Sequence, residues 1–379
     1  MTIAILLLCG AALLVFGAEL LFRGASRIAI AAGISPLIIG LTVVAFGTSA
    51  PELAVSLGAT FAGEPDIAVG NVVGSNIFNV LFILGVSALI VPLAVQQQVV
   101  RFELPIMLAV SVALLLAALD GALGRVEGAL FFGGLIGYLV YLARQGGVAG
   151  IPDEYGATPP AHLAGTAGAT GDRNAATAPS AGAARSPRGL RALLASTLLA
   201  LFGLVLLVAG SRFFVNGAVA LATLLGVSQT VIGLTIIAAG TSLPELATSV
   251  LAGIRGERDI AVGNVVGSNI FNILGILGLC GLLAPEAVRV DVTMLRFDIP
   301  VMVAVAVITL PILFTGYRIT RLEGMLFLAY YAAYTIFLIL QSTQHDSLEA
   351  FSGIMLLFVL PLTAIGLIVS VMVARRAPD

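Results

Sequence analysis

Apolar residues run through this chain in blocks long enough to cross a lipid bilayer, and short polar segments separate the blocks. A bilayer core needs about 20 apolar residues per helix. By that measure the pattern predicts spans near 3–22, 36–61, 68–91, 103–119 and 126–142, then 190–214, 228–251, 260–283, 298–314 and 322–340, with a last one near 351–373. The expectation is an all-α polytopic membrane protein of about eleven helices. The first block is as apolar as a signal peptide, yet no basic segment precedes it and Arg23 and Arg27 follow it, so it is expected to remain as the first span. Residues 143–189 break the pattern: they are rich in Ala, Gly, Thr, Pro and Ser. A segment of that kind buries too little apolar surface to order itself and is expected to be a flexible loop.

The two groups of spans on either side of this loop are copies. With an offset of 193 residues, 33–85 falls on 226–278 without a gap, and about two-thirds of the positions are identical. The run DIAVGNVVGSNIFN occurs at Asp66–Asn79 and Asp259–Asn272, and GTSxPELA at Gly47–Ala54 and Gly240–Ala247. Weaker matches extend outward, RFELP at Arg101–Pro105 with RFDIP at Arg296–Pro300, and RVEG at Arg125–Gly128 with RLEG at Arg321–Gly324. The predicted organisation is therefore 1–142 as a first five-helix repeat, 143–189 as the joining loop, 190–341 as a second repeat, and 342–379 as an extra C-terminal helix and tail. Five spans per repeat force the second copy to enter the membrane upside down. Inverted repeats of this kind are the architecture of secondary transporters, whose sites lie near the midplane where the repeats meet.

Composition supports lipid as the main solvent, with 59% hydrophobic and only 10% charged residues against about 25% charged in a soluble domain. A net charge of −2 without a basic block argues against nucleic acid as a partner. All 18 basic residues are Arg. With the N-terminus outside, all of them but Arg125, Arg212, Arg289 and Arg296 fall on the cytoplasmic side, which is the sense of the positive-inside rule and places the 143–189 loop and the C-terminus in the cytoplasm. Cys9 and Cys280 lie far apart in apolar stretches and match neither a metal spacing nor a disulfide framework.

The candidate chemistry sits in the repeated motifs. Thr48, Ser49, Pro51 and Glu52 have Thr241, Ser242, Pro244 and Glu245 as counterparts. An ionisable side chain at mid-bilayer costs roughly 2.5–3.5 kcal/mol, so two equivalent ones point to a compensating ligand, or else to a protonated Glu bonded to a neighbouring helix. Proline has no N–H and crowds the carbonyl one turn back. Carbonyls near Gly47–Thr48 and Gly240–Thr241 should then lose their helical partners and line a cavity or bind an ion, if the prolines do more than kink the helix. Thr48 and Glu52 share a helix face, as do Ser75 with Asn79 and Ser268 with Asn272. These faces offer carboxylate, carbonyl, hydroxyl and amide oxygens, although Ser and Asn also serve as interhelical hydrogen-bond links. Oxygen-only donors suit calcium, which takes about six to eight, and also sodium; no Cys or His joins the motifs, which disfavours soft metals. Gly70-x-x-x-Gly74 and Gly263-x-x-x-Gly267 read as close-packing positions, Asp66 and Asp259 as N-caps, and Glu19 and Arg212, at matching places in the two repeats, as interfacial residues.

The paired GTSAPE/GTSLPE and GNVVGSNIFN signatures resemble the calcium/cation antiporter superfamily, in its bacterial sodium/calcium exchanger branch. The resemblance covers both repeats. It implies ten core helices in two inverted five-helix repeats, alternating access, and calcium and sodium as transported ions competing at one central cluster in the cytoplasmic (inner) membrane, with no cofactor. It further implies Glu52 and Glu245 as shared carboxylate ligands, and Thr48 and Thr241 as donors of backbone oxygens to calcium. Ser49, Ser75, Ser242 and Ser268, with the carbonyls of Ala45 and Ala238, would serve flanking sodium sites, and Asn79 and Asn272 would sit at the cluster's middle. Some relatives carry Asp where this chain has Asn272, which removes one carboxylate and leaves stoichiometry and any proton or potassium role open. Proton/calcium antiport is the alternative within transport, and a cation channel is the alternative outside it. The chain shows no nucleophile–base pair of an enzyme. The span near 351–373 exceeds the ten-helix pattern and is expected to make packing or oligomer contacts.

Overall fold

The computed structural model describes residues 2–32, 34–145, 187–226, 238–314 and 316–376. Most of the predicted 143–189 loop and the first part of the predicted 228–251 span lie outside them. The elements are α1 (Thr2–Ala32), α2 (Pro36–Thr48) and α3 (Ala50–Phe61), α4 (Pro65–Ile90), β1 (Leu93–Ala94), α5 (Val99–Ala117), β2 (Ala122–Leu123) and α6 (Arg125–Gln145). Then follow α7 (Pro187–Leu224), α8 (Ala238–Gly240), α9 (Leu243–Ile254), α10 (Arg258–Leu283), β3 (Val288–Arg289), α11 (Met294–Phe314), β4 (Arg318–Ile319) and α12 (Arg321–Ser342). A last helix, α13, begins at Leu348 and runs to Arg376. Among the described residues nine helices are long and apolar enough to cross a membrane, or ten when α2 and α3, bent by 45° at Ser49, count as one span.

Two small antiparallel sheets establish the inversion. β1 pairs with β4, and β2 pairs with β3. The transmembrane helix α5 separates β1 from β2, so the two sheets lie on opposite faces of the membrane. By the repeat offsets β1 corresponds to β3 and β2 to β4. Each loop therefore sits across the membrane from its counterpart, as an upside-down second copy requires. Gln96, beyond β1, donates to Asp259 Oδ2 at 2.8 Å, which puts the start of α10 on the β1/β4 face.

The core is α4 and α10, with 72% and 89% of their apolar windows buried, against none for the first turns of α13. These two helices carry the repeated GNVVGSNIFN run, in which polar and small residues replace the lipid-facing Leu and Phe of the outer helices. The expected close-packing role is seen for Gly263 and Gly267, where a Cβ would lie 3.0 Å from Leu37 O and 2.7 Å from Leu41 O, so α10 touches the backbone of α2; it is not seen for Gly74, where a Cβ meets nothing within 4 Å, and Gly70 meets only the Met294 side chain. Asp66 and Asp259 do not take the cap position. Glu64 and Glu257 hold it, and the aspartates sit inside the first turn, where their charge faces the positive end of the helix dipole.

α1 and α7 form an antiparallel slab beside this core. Gly10, Gly17 and Gly24 recur every seven residues, as do Gly203, Gly210 and Gly217, and each trio makes one stripe. A Cβ at Gly17 would fall 2.7 Å from Leu207 N, and one at Gly203 would fall 2.4 Å from Leu21 N. The backbones are in contact, with no room for any side chain. α7, with 38 residues, is about 57 Å long at 1.5 Å per residue, well beyond a bilayer core. Both helices therefore exceed their predicted spans. α13 rests on α11 and α12, with Tyr330 donating to Thr363 Oγ1, and an apolar cavity of about 390 Å³ lined by Phe297, Tyr330, Phe337 and Met355 lies between them.

Replacing Gly17 or Gly203 with Leu should separate the slab and destabilise the protein by about 1–3 kcal/mol, the usual effect of overpacking. Gly137→Leu, on an exposed face of α6, should leave stability unchanged. Thermal unfolding in detergent checks both.

Candidate functional site

The break at Ser49 has its counterpart at Ser242. Both residues leave helical geometry (ψ 7° and 10°), and Pro51 and Pro244 open the helices that follow. Proline's fixed φ suits a first helical turn and supplies no N–H to the turn before. Each break delivers a Glu to the place where α4 and α10 cross. Ser242 Oγ donates to Glu52 Oε1 at 2.8 Å, and Ser49 Oγ donates to Glu245 Oε1 at 3.0 Å. Each carboxylate is thus bonded by the opposite repeat, and both are fully buried.

Around them lies a layer of asparagines. Thr48 Oγ1 donates to Asn264 Oδ1 at 3.1 Å, and Thr241 Oγ1 to Asn71 Oδ1 at 3.3 Å. Asn71 Nδ2 donates to Glu52 O at 3.2 Å and to Ser56 Oγ at 3.0 Å; Asn264 Nδ2 reaches Glu245 O at 3.4 Å and Ser249 Oγ at 2.9 Å. A second layer joins Asn79 Nδ2 to Asn269 Oδ1 and Asn272 Nδ2 to Asn76 Oδ1, both at 3.0 Å. The sequence reading missed Asn71, Asn76, Asn264 and Asn269. The signal was present, because all four are identical between the repeats and Asn71, Ser75 and Asn79 fall four residues apart on one face.

Two of the carbonyls near the breaks have partners. Ala45 O accepts from Ser268 Oγ at 3.5 Å, across the repeat boundary. Gly240 O, which Pro244 cannot bond, accepts instead from Ser211 of α7 at 2.6 Å. The residue of α1 equivalent to Ser211 is Ala18, which has no hydroxyl. Ala238 is the first residue of α8.

The oxygens left over define the site's chemistry. Glu52 Oε2, Glu245 Oε2, Asn79 Oδ1, Asn272 Oδ1 and Ser75 Oγ are buried without a hydrogen-bond partner among the described residues. An unsatisfied buried acceptor costs about 1–3 kcal/mol, and more when charged. Four of them form two symmetry-related pairs, and no basic side chain approaches: the ion pairs among the described residues are Glu19 with Arg23 and with Arg255. Oxygens of these kinds are the donors a hard cation takes, and two carboxylates match two positive charges.

Cover over the site is uneven. On the β1/β4 face α1 packs along α9, and Glu19 Oε1 accepts from Arg255 Nη2 at 2.9 Å and from Arg23 Nε at 2.6 Å. Glu19 is thus a bridge between helices rather than a residue at the lipid interface alone. The equivalent residues on the β2/β3 face are Arg212 and Ala62, which cannot make this pair. Val55 of α3 is 41% exposed while its counterpart Thr248 is fully buried. α9 is thus more fully covered than its counterpart α3.

Inverted repeats that share a buried, oxygen-only cluster at their crossing define a secondary cation transporter. Residues 2–144 and 195–340 match the profile of the family described as sodium/calcium exchanger protein, and the chain belongs to this family of cation antiporters. It is 36% identical to the sodium/calcium exchanger MaX1 of Methanosarcina acetivorans over 357 residues, covering 88% of this chain and 97% of MaX1. It is 40% identical to the inner membrane protein YrbG of Escherichia coli over 306 residues, covering 80% and 86% of the two chains. The solved structure of the sodium-calcium exchanger NCX_Mj superposes with a TM-score of 0.69 at 28% identity, covering 87% of this chain and 97% of that one.

If Glu52 and Glu245 face a cation, removing one charge should relieve the ion-free protein. Glu52→Gln or Glu245→Gln should melt no lower than the parent in a chelator. Calcium at 100 times its dissociation constant should stabilise the parent by about 2.7 kcal/mol and leave either variant almost unmoved, as read by melting with and without calcium.

Proposed function

We propose that this antiporter exchanges calcium for sodium by alternating access, with both ions competing for the cluster between α4 and α10. The observation that carries the reading is the set of unpartnered oxygens on Glu52, Glu245, Asn79 and Asn272. Two carboxylates balance one calcium or two sodium ions, so the same charge count serves either occupant. Glu52 and Glu245 are the shared ligands, and Thr48 and Thr241 add backbone oxygens. Ser49, Ser75, Ser242 and Ser268 flank the centre with the carbonyls of Ala45 and Ala238 as sodium positions. The free Ser75 hydroxyl and the long 3.5 Å bond of Ser268 support that role. The names of MaX1 and NCX_Mj supply sodium as the counter-ion.

The protein lies in the cytoplasmic membrane with its N-terminus outside, which makes the β1/β4 face cytoplasmic. This face carries Arg23 and Arg255, as the positive-inside rule favours. In the outward-facing state, which releases calcium and takes up sodium, α1 covers α9 and the Glu19–Arg255 pair is made. To open inward, α1 has to part from α9 and the Glu19–Arg255 pair has to break.

Two outcomes follow. Proteoliposomes loaded with sodium should take up calcium when external sodium is removed, and uptake should cease without the sodium gradient; equal uptake driven by a pH gradient without sodium would establish proton coupling instead. Arg255→Ala should raise the inward-open population up to about fivefold, since a half-exposed pair is worth up to about 1 kcal/mol. Thiol labelling of Thr248→Cys from the cytoplasmic side, with Cys9 and Cys280 replaced by Ser, measures it.

A further inference from the structure

We infer that Asn76 and Asn269 are positioning residues that decide which atom of Asn79 and Asn272 faces the cation. This inference rests on the cation-site reading above. An asparagine side chain has an oxygen and an amino group of nearly equal size, and it serves a cation only when the oxygen points inward. A cation ligand of this type needs a second residue that fixes its orientation, a need that a carboxylate does not have.

The structure contains that second residue, and its own orientation is fixed by a group that cannot be reversed. Asn269 Nδ2 donates to the backbone carbonyl of Asn76 at 3.3 Å and to Met107 Sδ at 3.6 Å. A backbone carbonyl accepts and never donates, so the amino group of Asn269 has to lie on that side. Its Oδ1 then faces Asn79 and accepts from Asn79 Nδ2 at 3.0 Å. Turning Asn79 over would set two carbonyl oxygens against each other and aim an amino group at the cation. Asn79 is thereby held with Oδ1 free and buried, pointing away from the bond.

The other half repeats the chain of constraints. Asn76 Nδ2 donates to Asn269 O at 3.2 Å and to Met302 Sδ at 3.7 Å, and its Oδ1 accepts from Asn272 Nδ2 at 3.0 Å. Each repeat thus orients the ligand of the other, and the anchors come from the backbones of α4 and α10. The methionines, one on α5 and one on α11, take the second N–H of each anchor, so no amino proton of Asn76 or Asn269 is left to point at the site. All four asparagines are buried. The ring supplies two inward oxygens without adding charge and keeps the cluster at the two negative charges of Glu52 and Glu245.

A double-mutant cycle separates positioning from packing. Asn269→Ala frees the Asn79 amide and should weaken calcium binding roughly tenfold, the effect of losing one well-made hydrogen bond. In an Asn79→Asp background, where both oxygens are equivalent and one faces Asn269 Oδ1 with no N–H between them, the same substitution should not weaken calcium binding, because no orientation remains to be held and an oxygen–oxygen contact is removed. The mirror cycle, Asn76→Ala with and without Asn272→Asp, gives an independent measurement should Asn269→Ala fail to fold. Dissociation constants come from calcium titration of the purified full-length protein, with melting temperatures recorded alongside. An equal loss in the Asn and Asp backgrounds would overturn the inference and reduce the ring to helix packing. A parent protein that binds no calcium would instead overturn the cation site itself, and the inference with it.

Discussion

Glu52 and Glu245 each share one carboxylate oxygen with a serine of the opposite repeat, keep the other without a donor among the described residues, and are buried inside the protein. Hydrocarbon offers no partner for such atoms, so everything near them has to be satisfied from within the protein or by a cation. The neighbouring helices are built to that demand. α4 and α10 carry polar residues on the faces that meet and are the most buried of the nine long apolar helices among the described residues. α2/α3 and α8/α9 are broken where the glutamates enter. Asn71 and Asn264 bond the Glu main-chain carbonyls and leave the side chains free to face inward.

Inversion makes one site of two motifs. Ser49 reaches Glu245, Ser242 reaches Glu52, and the asparagines of α4 bond those of α10, so neither repeat completes the cluster alone. The repeats differ away from the centre. Glu19 pairs with Arg255 where the other half has Arg212 and Ala62, and Ser211 bonds the Gly240 carbonyl where the other half has Ala18. Symmetry at the middle presents the same residue types to both faces. Asymmetry at the periphery lets the two faces open with different free energies.

Much of this was readable from residue order. The apolar blocks, the 193-residue offset and the duplicated Glu, Ser and Asn positions predict an inverted-repeat membrane protein with a central oxygen cluster. The heptad glycines of α1 and α7 were also visible at the same offset, but their meaning depends on which helices become neighbours. Asn76 and Asn269 were overlooked for a related reason: hydrogen bonds between repeats join residues about 190 positions apart, and similarity between copies does not say how the copies touch. The capping role expected of Asp66 and Asp259 went to residues two positions earlier, because Glu64 and Glu257 end the preceding turns. The Gly240 carbonyl, expected to be free, is bonded by a hydroxyl from a helix that local sequence does not connect to it.

The central claim is that two half-sites make one cation site. Equilibrium dialysis with radioactive calcium tests it most directly, by counting bound ions per chain in the parent protein and in Glu52→Gln and Glu245→Gln separately. The account predicts one calcium per chain in the parent at saturation and none retained at that concentration by either single variant. Two independent calcium ions in the parent, or one calcium kept by each variant at unchanged affinity, would contradict it.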